Sequence, residues 1–481
     1  MDILKVKGNK IVNAEGAALW LRGPSLGGWM NLENFINGYP GIESSLRDTF
    51  ASVLGAGKAD FFFQRLIHHF FTEADVKLIR ECGSTVIRLP LNYRHFEADD
   101  KPFHYKEEGF ALLDRALGWC EKHGLYAILD LHAVQGWQNS DWPSDNSSRN
   151  SLLWVHTHFQ DRCVELWKEI ARRYRGRAVV AGYDLINEPL SGAPYGRLDA
   201  HYTPSNWKLV NALYRRLVES IREIDGEHII FLEGDNFSKQ FDGMAPPFAD
   251  NLVYSGHHYN HASLGPGPYP GRIKGVEWNR ERQEEVYLAH EGTRYARMHD
   301  VPYWVGEFGS VYNGYPEEVD CRFLALDDQI GVFEEHGAHW TIWTYKDMGV
   351  MGWVTVDPES EYAATVRHIL DAKTELRADF WSWWLPPTRT DRIVNELSEH
   401  IMTVLDDPDL DSESVTKYLR QSALYEYVGQ IMQSGMAKIF KDMSEEKLDD
   451  ILSSFSLEKC IRNDRLLEMM KKYLAADKAG G

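Results

Sequence analysis

Cysteine is scarce in this chain. Five occur in 481 residues, at positions 82, 120, 163, 321 and 460, with no CxxC pair among them. That number and scatter exclude a disulfide framework and a thiolate zinc site, and they point to reduced thiols and a cytoplasmic location. The opening MDILKVKGNK has no apolar signal core, which agrees with that location, although a leader removed beforehand would leave secretion open. No stretch approaches the ~20 apolar residues of a membrane span. Positive charge is also in deficit. Lys and Arg number 52 against 72 Asp and Glu, a net charge of −20. Such a surface is a poor partner for nucleic acid or anionic lipid. Repeats, low-complexity tracts and a Gly-rich phosphate turn after the first apolar run are all absent.

What is present is an alternation. Eight short apolar runs occur at Leu19–Trp29, Thr85–Leu91, Tyr126–His132, Val179–Pro189, His228–Gly234, Leu252–Tyr259, Val301–Gly309 and His339–Asp347. Runs rich in β-branched and aromatic residues read as strands buried on both faces, as in a parallel sheet. Helical patterns separate them over 72–82, 108–123, 159–174, 205–225, 280–300 and 317–337. Thr72 and Ser205 are expected N-caps, and Gly83, Gly124 and Gly337 expected stops. The fifth crossover, 235–251, is too short and Pro-rich for a helix. The pattern predicts an α/β chain, a (β/α)8 TIM barrel over residues 1–384, with a doubly wound open sheet as the competitor. Beyond Pro386-Pro387 only helical patterns remain, at 393–405, 418–440 and 448–473. Residues 385–481 are therefore expected to form a small all-helical appendage. Its methionines read as core, with a dimer face as the lesser alternative.

In such a barrel, reactive groups stand at the C-terminal ends of strands. Read there, the chain offers Arg88, His132, Asn187-Glu188, His257, Tyr259, Glu307 and Trp343. Glu188 and Glu307 are the chemical centre. A carboxyl pair about 5–5.5 Å apart supports retaining glycoside hydrolysis, and a gap of about 6.5–9.5 Å supports inversion. Arg88 would keep Glu307 charged, Tyr259 would donate to it, Asn187 would meet a sugar 2-hydroxyl, and Trp343 would offer a flat face to the ring. Trp137 and Trp142 are evenly balanced between stacking on an outer sugar and packing their own loop. Trp381, Trp383 and Trp384 are expected to seal barrel against tail rather than to form a binding platform. His156 and His158 lack a third ligand, so no metal is expected there.

The segments VIRLP, LDLH, LINEP, HHY, VGEFG and IWTYK, in that order, resemble those of glycoside hydrolase family 5, the cellulase-type β-glycosidases. The resemblance implies that Glu188 is the acid/base and Glu307 the nucleophile of a retaining hydrolase. It also implies that Arg88, His132, Asn187, His257, Tyr259 and Trp343 surround the sugar, and that neither a metal nor an organic cofactor is needed. SLGGWMNLENFI, DLHAVQGWQNSDWPSDNSS and INEPLSG are closer still to the exo-β-1,3-glucanases and related diglycosidases. In that group the residue at the place of Glu33 grips the terminal glucose, whereas most members are secreted and lack a helical tail. The expected activity is removal of terminal β-glucosyl units. The alternatives are endo-acting cleavage of a β-glucan, cleavage of a glycolipid, and a carbohydrate-binding scaffold without turnover.

Overall fold

The structure is a computed structural model and describes residues 1–195 and 203–475. Eight parallel strands form its centre: β1 (Arg22–Pro24), β2 (Val86–Asn92), β3 (Tyr126–Ala133), β4 (Val180–Asp184), β5 (Ile229–Glu233), β6 (Leu252–His257), β7 (Tyr303–Glu307) and β8 (His339–Ile342). They neighbour one another in chain order, and β8 pairs with β1. The remaining seam closes through Thr85 N to Arg22 O and Leu26 N to Arg88 O, both 2.9 Å. The sheet is a (β/α)8 barrel, and every residue of the eight strands is buried. Gly23 shows why the seam needs glycine: a Cβ there would stand 1.8 Å from the Val86 carbonyl oxygen.

Helices follow most strands and cover them with their apolar stripes. Two helices, α1 (Glu43–Leu54) and α2 (Ala56–Phe70), precede the first crossover helix, α3 (Glu73–Glu81). Thr72 and Asp75 form a capping box on α3, as the Thr-x-x-Asp spacing predicts. Further crossovers are α4 (Glu107–His123), α5 (Thr157–Tyr174) and α6 (Trp207–Arg222). The cap of α6 differs from expectation. Asn206 accepts from the Leu209 N–H, while Ser205 donates to Gln240. The single helix expected over 280–300 is two, α7 (Arg280–Ala289) and α8 (Glu291–His299), because His290 turns to an extended ψ and caps the second with its ring. The last full crossover is α9 (Val319–Glu335), and α10 (Glu361–Leu376) closes the ring. After β5 the chain makes no true helix; Asn236, Phe237 and Ser238 are all left-handed, at φ 51°, 57° and 59°.

The C-terminal region departs from the all-helical expectation. It contains α11 (Arg389–Leu405), α12 (Ser412–Leu419), a π-helical turn (Arg420–Val428), α13 (Gly429–Phe440), α14 (Glu445–Leu452) and α15 (Asp464–Leu474). Between α14 and α15 a strand, Cys460–Arg462, pairs antiparallel with Val354–Val356 of the barrel segment. The helix expected over 448–473 is thus interrupted, because backbone pairing to Val354–Val356 fixes 460–462 in extended form. Phe440 of α13 packs on Phe50 and Phe62 of α1 and α2, at ring distances of 6.0 and 4.9 Å. The buried Lys346 ammonium joins Asp75 (2.8 Å) to the carbonyls of Phe70 and Phe455. Among the described residues no helix is long and apolar enough to cross a membrane.

Candidate active site

At the C-terminal mouth of the barrel lies a cavity of about 520 Å³. Glu33, His132, Glu188, His257, Tyr259, Glu307 and Trp343 all line it. Residues scattered over more than 300 positions meet there because consecutive barrel strands deliver their ends to one rim. Arg88 and Asn187 lie just beneath, without solvent exposure. Trp137 does not line this cavity; its indole donates to the Asp145 carbonyl (2.9 Å) and fixes its own loop. Trp142, the other residue of that even pair, does line it, stacked on Phe380 at 4.7 Å. Trp381 and Trp384 also face the cavity and form part of its wall, while the Trp383 side chain lies outside the described residues; Trp381 packs in addition on Phe35 (5.3 Å).

Atoms of Glu188, His257 and Glu307 lie within 4.8 Å of one another. Glu307 ends β7 and receives Arg88 Nη1 on one oxygen (2.5 Å) and the Tyr259 hydroxyl on the other (3.0 Å). Burial alone would raise its pKa, but the charges of His257 and Arg88 outweigh burial and hold it below the ordinary carboxylate range. Glu188 meets His257 Nδ1 at 2.8 Å. For this carboxyl burial prevails over the imidazole, and its pKa is raised. Two carboxyls with opposite shifts are what acid/base and anionic roles require. Glu188 is left-handed at φ 46°, a conformation costing about 1–3 kcal/mol in a non-glycine residue. Its backbone is clamped from both sides, the N–H by Glu233 (2.8 Å) and the carbonyl by Asn139 (3.0 Å).

His132 stacks on Trp343, with centroids 5.4 Å apart and planes 4° apart. Its Nδ1 meets Asp130 at 2.7 Å and its Nε2 faces Glu33 at 3.5 Å. Burial opposes the charge, but Asp130 prevails and the imidazole is pushed up to about 10. Glu33 is buried in the cavity wall, and that burial raises its pKa despite His132.

The residue that sequence reasoning missed is Glu233. It ends β5 in HIIFLEG just as Glu307 ends β7, and that shared position was the available signal. One oxygen accepts from Glu188 N and from the Ser238 hydroxyl; the other faces Arg88 Nη2 (3.2 Å) and His257 Nε2 (3.4 Å). Glu233 therefore touches the partners of both central carboxyls. Asp130 and Asp184 complete the set around Arg88, at 3.1 and 3.2 Å. Among the described residues, the only group with metal-ligand spacing is Glu188, His257 and Glu307 themselves.

A (β/α)8 barrel whose mouth holds such a carboxyl pair, hydrogen-bonding side chains and a stacking indole is a glycoside hydrolase. The chain belongs to glycosyl hydrolase family 5, whose cellulase model matches residues 58–349. A β-xylosidase of Phanerodontia chrysosporium is 36% identical over 98% of both chains, a match that takes in the C-terminal region. Endoglucanase C of Acetivibrio thermocellus is 26% identical over 58% of this chain and 85% of its own. A probable glucan 1,3-beta-glucosidase A of Aspergillus clavatus is 27% identical over 69% and 84%. Among solved structures an endogalactoceramidase superposes with a TM-score of 0.51 at 16% identity, covering 72% of this chain and 75% of its own, a likeness of fold.

Proposed function

We propose that the protein is a retaining, exo-acting β-glycosidase that removes a terminal β-glucosyl unit. The carrying observation is that a carboxyl oxygen of Glu188 and one of Glu307 lie within 4.8 Å, an approach on the scale of the ~5–5.5 Å of retaining pairs rather than the ~6.5–9.5 Å that leaves room for an attacking water. Glu307, held ionised by Arg88 and Tyr259, attacks the anomeric carbon. Glu188, kept protonated by burial, gives its proton to the leaving oxygen. It then takes a proton from the water that releases the sugar. Asn187, whose Oδ1 is fixed by Arg88 at 2.7 Å, presents its amide to the sugar 2-hydroxyl. Glu33 supports exo action. A buried carboxylate in the cavity wall can accept from two hydroxyls of a terminal ring, a grip that favours chain ends.

Glu307→Gln is expected to abolish hydrolysis of 4-nitrophenyl β-glucoside while circular dichroism stays unchanged; substantial remaining turnover refutes the role. NMR of the first product should show the β-anomer, and an α-anomer means inversion. Oligosaccharide digests should release monosaccharide from the start, and mixed oligomers mean endo cleavage. The name of the Phanerodontia relative favours a second reading of the sugar, a terminal β-xylosyl unit. The ratio of kcat/KM on 4-nitrophenyl β-xyloside and β-glucoside decides between them.

A further inference from the structure

The cavity extends beyond the space around Glu188 and Glu307, and its outer part has a distinct chemistry. Three lysines border it from three separate segments: Lys239 after β5, Lys274 in the hairpin turn between Gly271–Ile273 and Val276–Trp278, and Lys417 on α12. A gathering of cations is unexpected on a chain of net charge −20. Their pairing is sparse. Lys274 lies 4.0 Å from Glu413, whose side chain is 89% exposed, a contact of little strength. Neither the Lys239 nor the Lys417 ammonium makes a hydrogen bond, or an ion pair within 4.0 Å, with any described residue. Of the other carboxylates that line the cavity, Glu188 is bonded to His257, Glu307 to Arg88 and Tyr259, and Asp141 to Arg149 at 3.2 Å, although the charges of Asp141 and Glu413 still act on Lys417.

The C-terminal region supplies this wall on purpose-shaped backbone. Glu413, Lys417 and Gln421 follow at intervals of four and share one helix face. The π-helical turn begins at Arg420, and such turns occur often at functional positions. Gln421 is 95% buried (5% exposed), lines the cavity, and its amide bonds to no described residue. Lys239 follows the three left-handed residues Asn236, Phe237 and Ser238, local strain of the kind kept where a side chain must be aimed. Burial lowers the proton affinity of both Lys239 and Lys417, and a carboxylate brought beside them would oppose that shift. Trp142, Phe380, Trp381 and Trp384 add flat faces to the same space.

We infer that this outer part is a leaving-group subsite for a carboxylate-bearing ring, held by Lys239 and Lys417 with Gln421 as an amide donor. The inference rests on the reading above, in which Glu188 protonates the leaving oxygen, because Lys239 lines the same cavity as Glu188. The ring could be an aromatic acid or a uronic acid, since both present a carboxylate beside a flat or apolar face.

Matched substrates test this with the full-length protein. One pair is 4-carboxyphenyl and 4-carbamoylphenyl β-glucoside. The other is a β-glucosyl-glucuronic acid and its neutral glucose counterpart. The acidic member of one pair should be favoured by roughly tenfold in kcat/KM, the size of one charge-assisted contact. That preference should shrink as salt is raised. The pair that shows it identifies the kind of ring. Lys239→Met and Lys417→Met should each reduce the preference, mainly through KM. Equal use of acidic and neutral members, with 4-nitrophenyl β-glucoside still hydrolysed, overturns this inference alone. A preference untouched by both substitutions overturns it too. Failure to hydrolyse any β-glucoside or β-xyloside overturns the proposed activity and the subsite with it.

Discussion

At the scale of the residue, the site is a balance of buried charge around Arg88. Four carboxylates face one guanidinium, so the protonation of each depends on the others. Activity in the proposed mechanism needs Glu307 ionised and Glu188 protonated. Glu307 is shifted down and Glu188 up, so the rate should rise below the ordinary glutamate pKa of 4.5 and fall above it. A pH profile of kcat/KM wider on both sides than an unshifted pair would give is the expected result. Glu233 raises the pKa of Glu188 by its charge. Glu233→Gln should therefore move the basic limb to lower pH and reduce kcat/KM by roughly tenfold, the worth of a lost charged contact. A drop in rate without movement of that limb would mean that Glu233 serves only the backbone. The polar strand ends were legible from the sequence because costly groups on strands buried on both faces must find partners. The strand-end position of Glu233 was legible in the same way, but its task was not, because nothing in HIIFLEG signals the φ of Glu188, 45 residues away, whose N–H it holds.

At the scale of the element, all eight strands follow from short apolar runs, because a strand covered on both faces has a one-dimensional signature. The C-terminal helices do not. An amphipathic pattern over 448–473 carries no record of Val354–Val356, the strand that draws Cys460–Arg462 out of helical form. The break at His290 is equally hidden, since it depends on the ring's bond to Gly292 N (3.2 Å). Helix α13 is attached in part through Phe440, fully buried against Phe50 and Phe62. Phe440→Ala should cost about 3–5 kcal/mol, read as a lower midpoint in urea unfolding. An effect below about 1 kcal/mol would show that this aromatic contact contributes little to holding α13.

At the scale of the whole molecule, the boundary near residue 385 divides the chain on paper more cleanly than in space. Lys346 is bonded to the Phe455 carbonyl, Arg65 and His69 both reach Asp449, and Phe440 fills a gap between α1 and α2. A fragment of residues 1–384 would expose those surfaces. Its expected fate is aggregation and loss of glycosidase activity, and soluble expression of an active fragment would contradict that outcome. Sequence could suggest a hinge at Pro386-Pro387 because proline interrupts helices; contacts between positions hundreds apart leave no such mark. One of these contacts is backbone on backbone. At the start of α13, a Cβ added to Gly429 would fall 2.7 Å from the Cα of Gly41, and the Gln433 amide donates to the Pro40 and Ile42 carbonyls at 3.0 Å. That loop directly follows the turn carrying Glu33. Under the proposed reading, the stretch from Lys417 to Gln433 both carries the wall beside the departing group and props the loop that follows Glu33, so two limits of the site share one support. Exchanging that stretch with a cousin's would retune both limits together, so neither can be tailored by a transplant without disturbing the other.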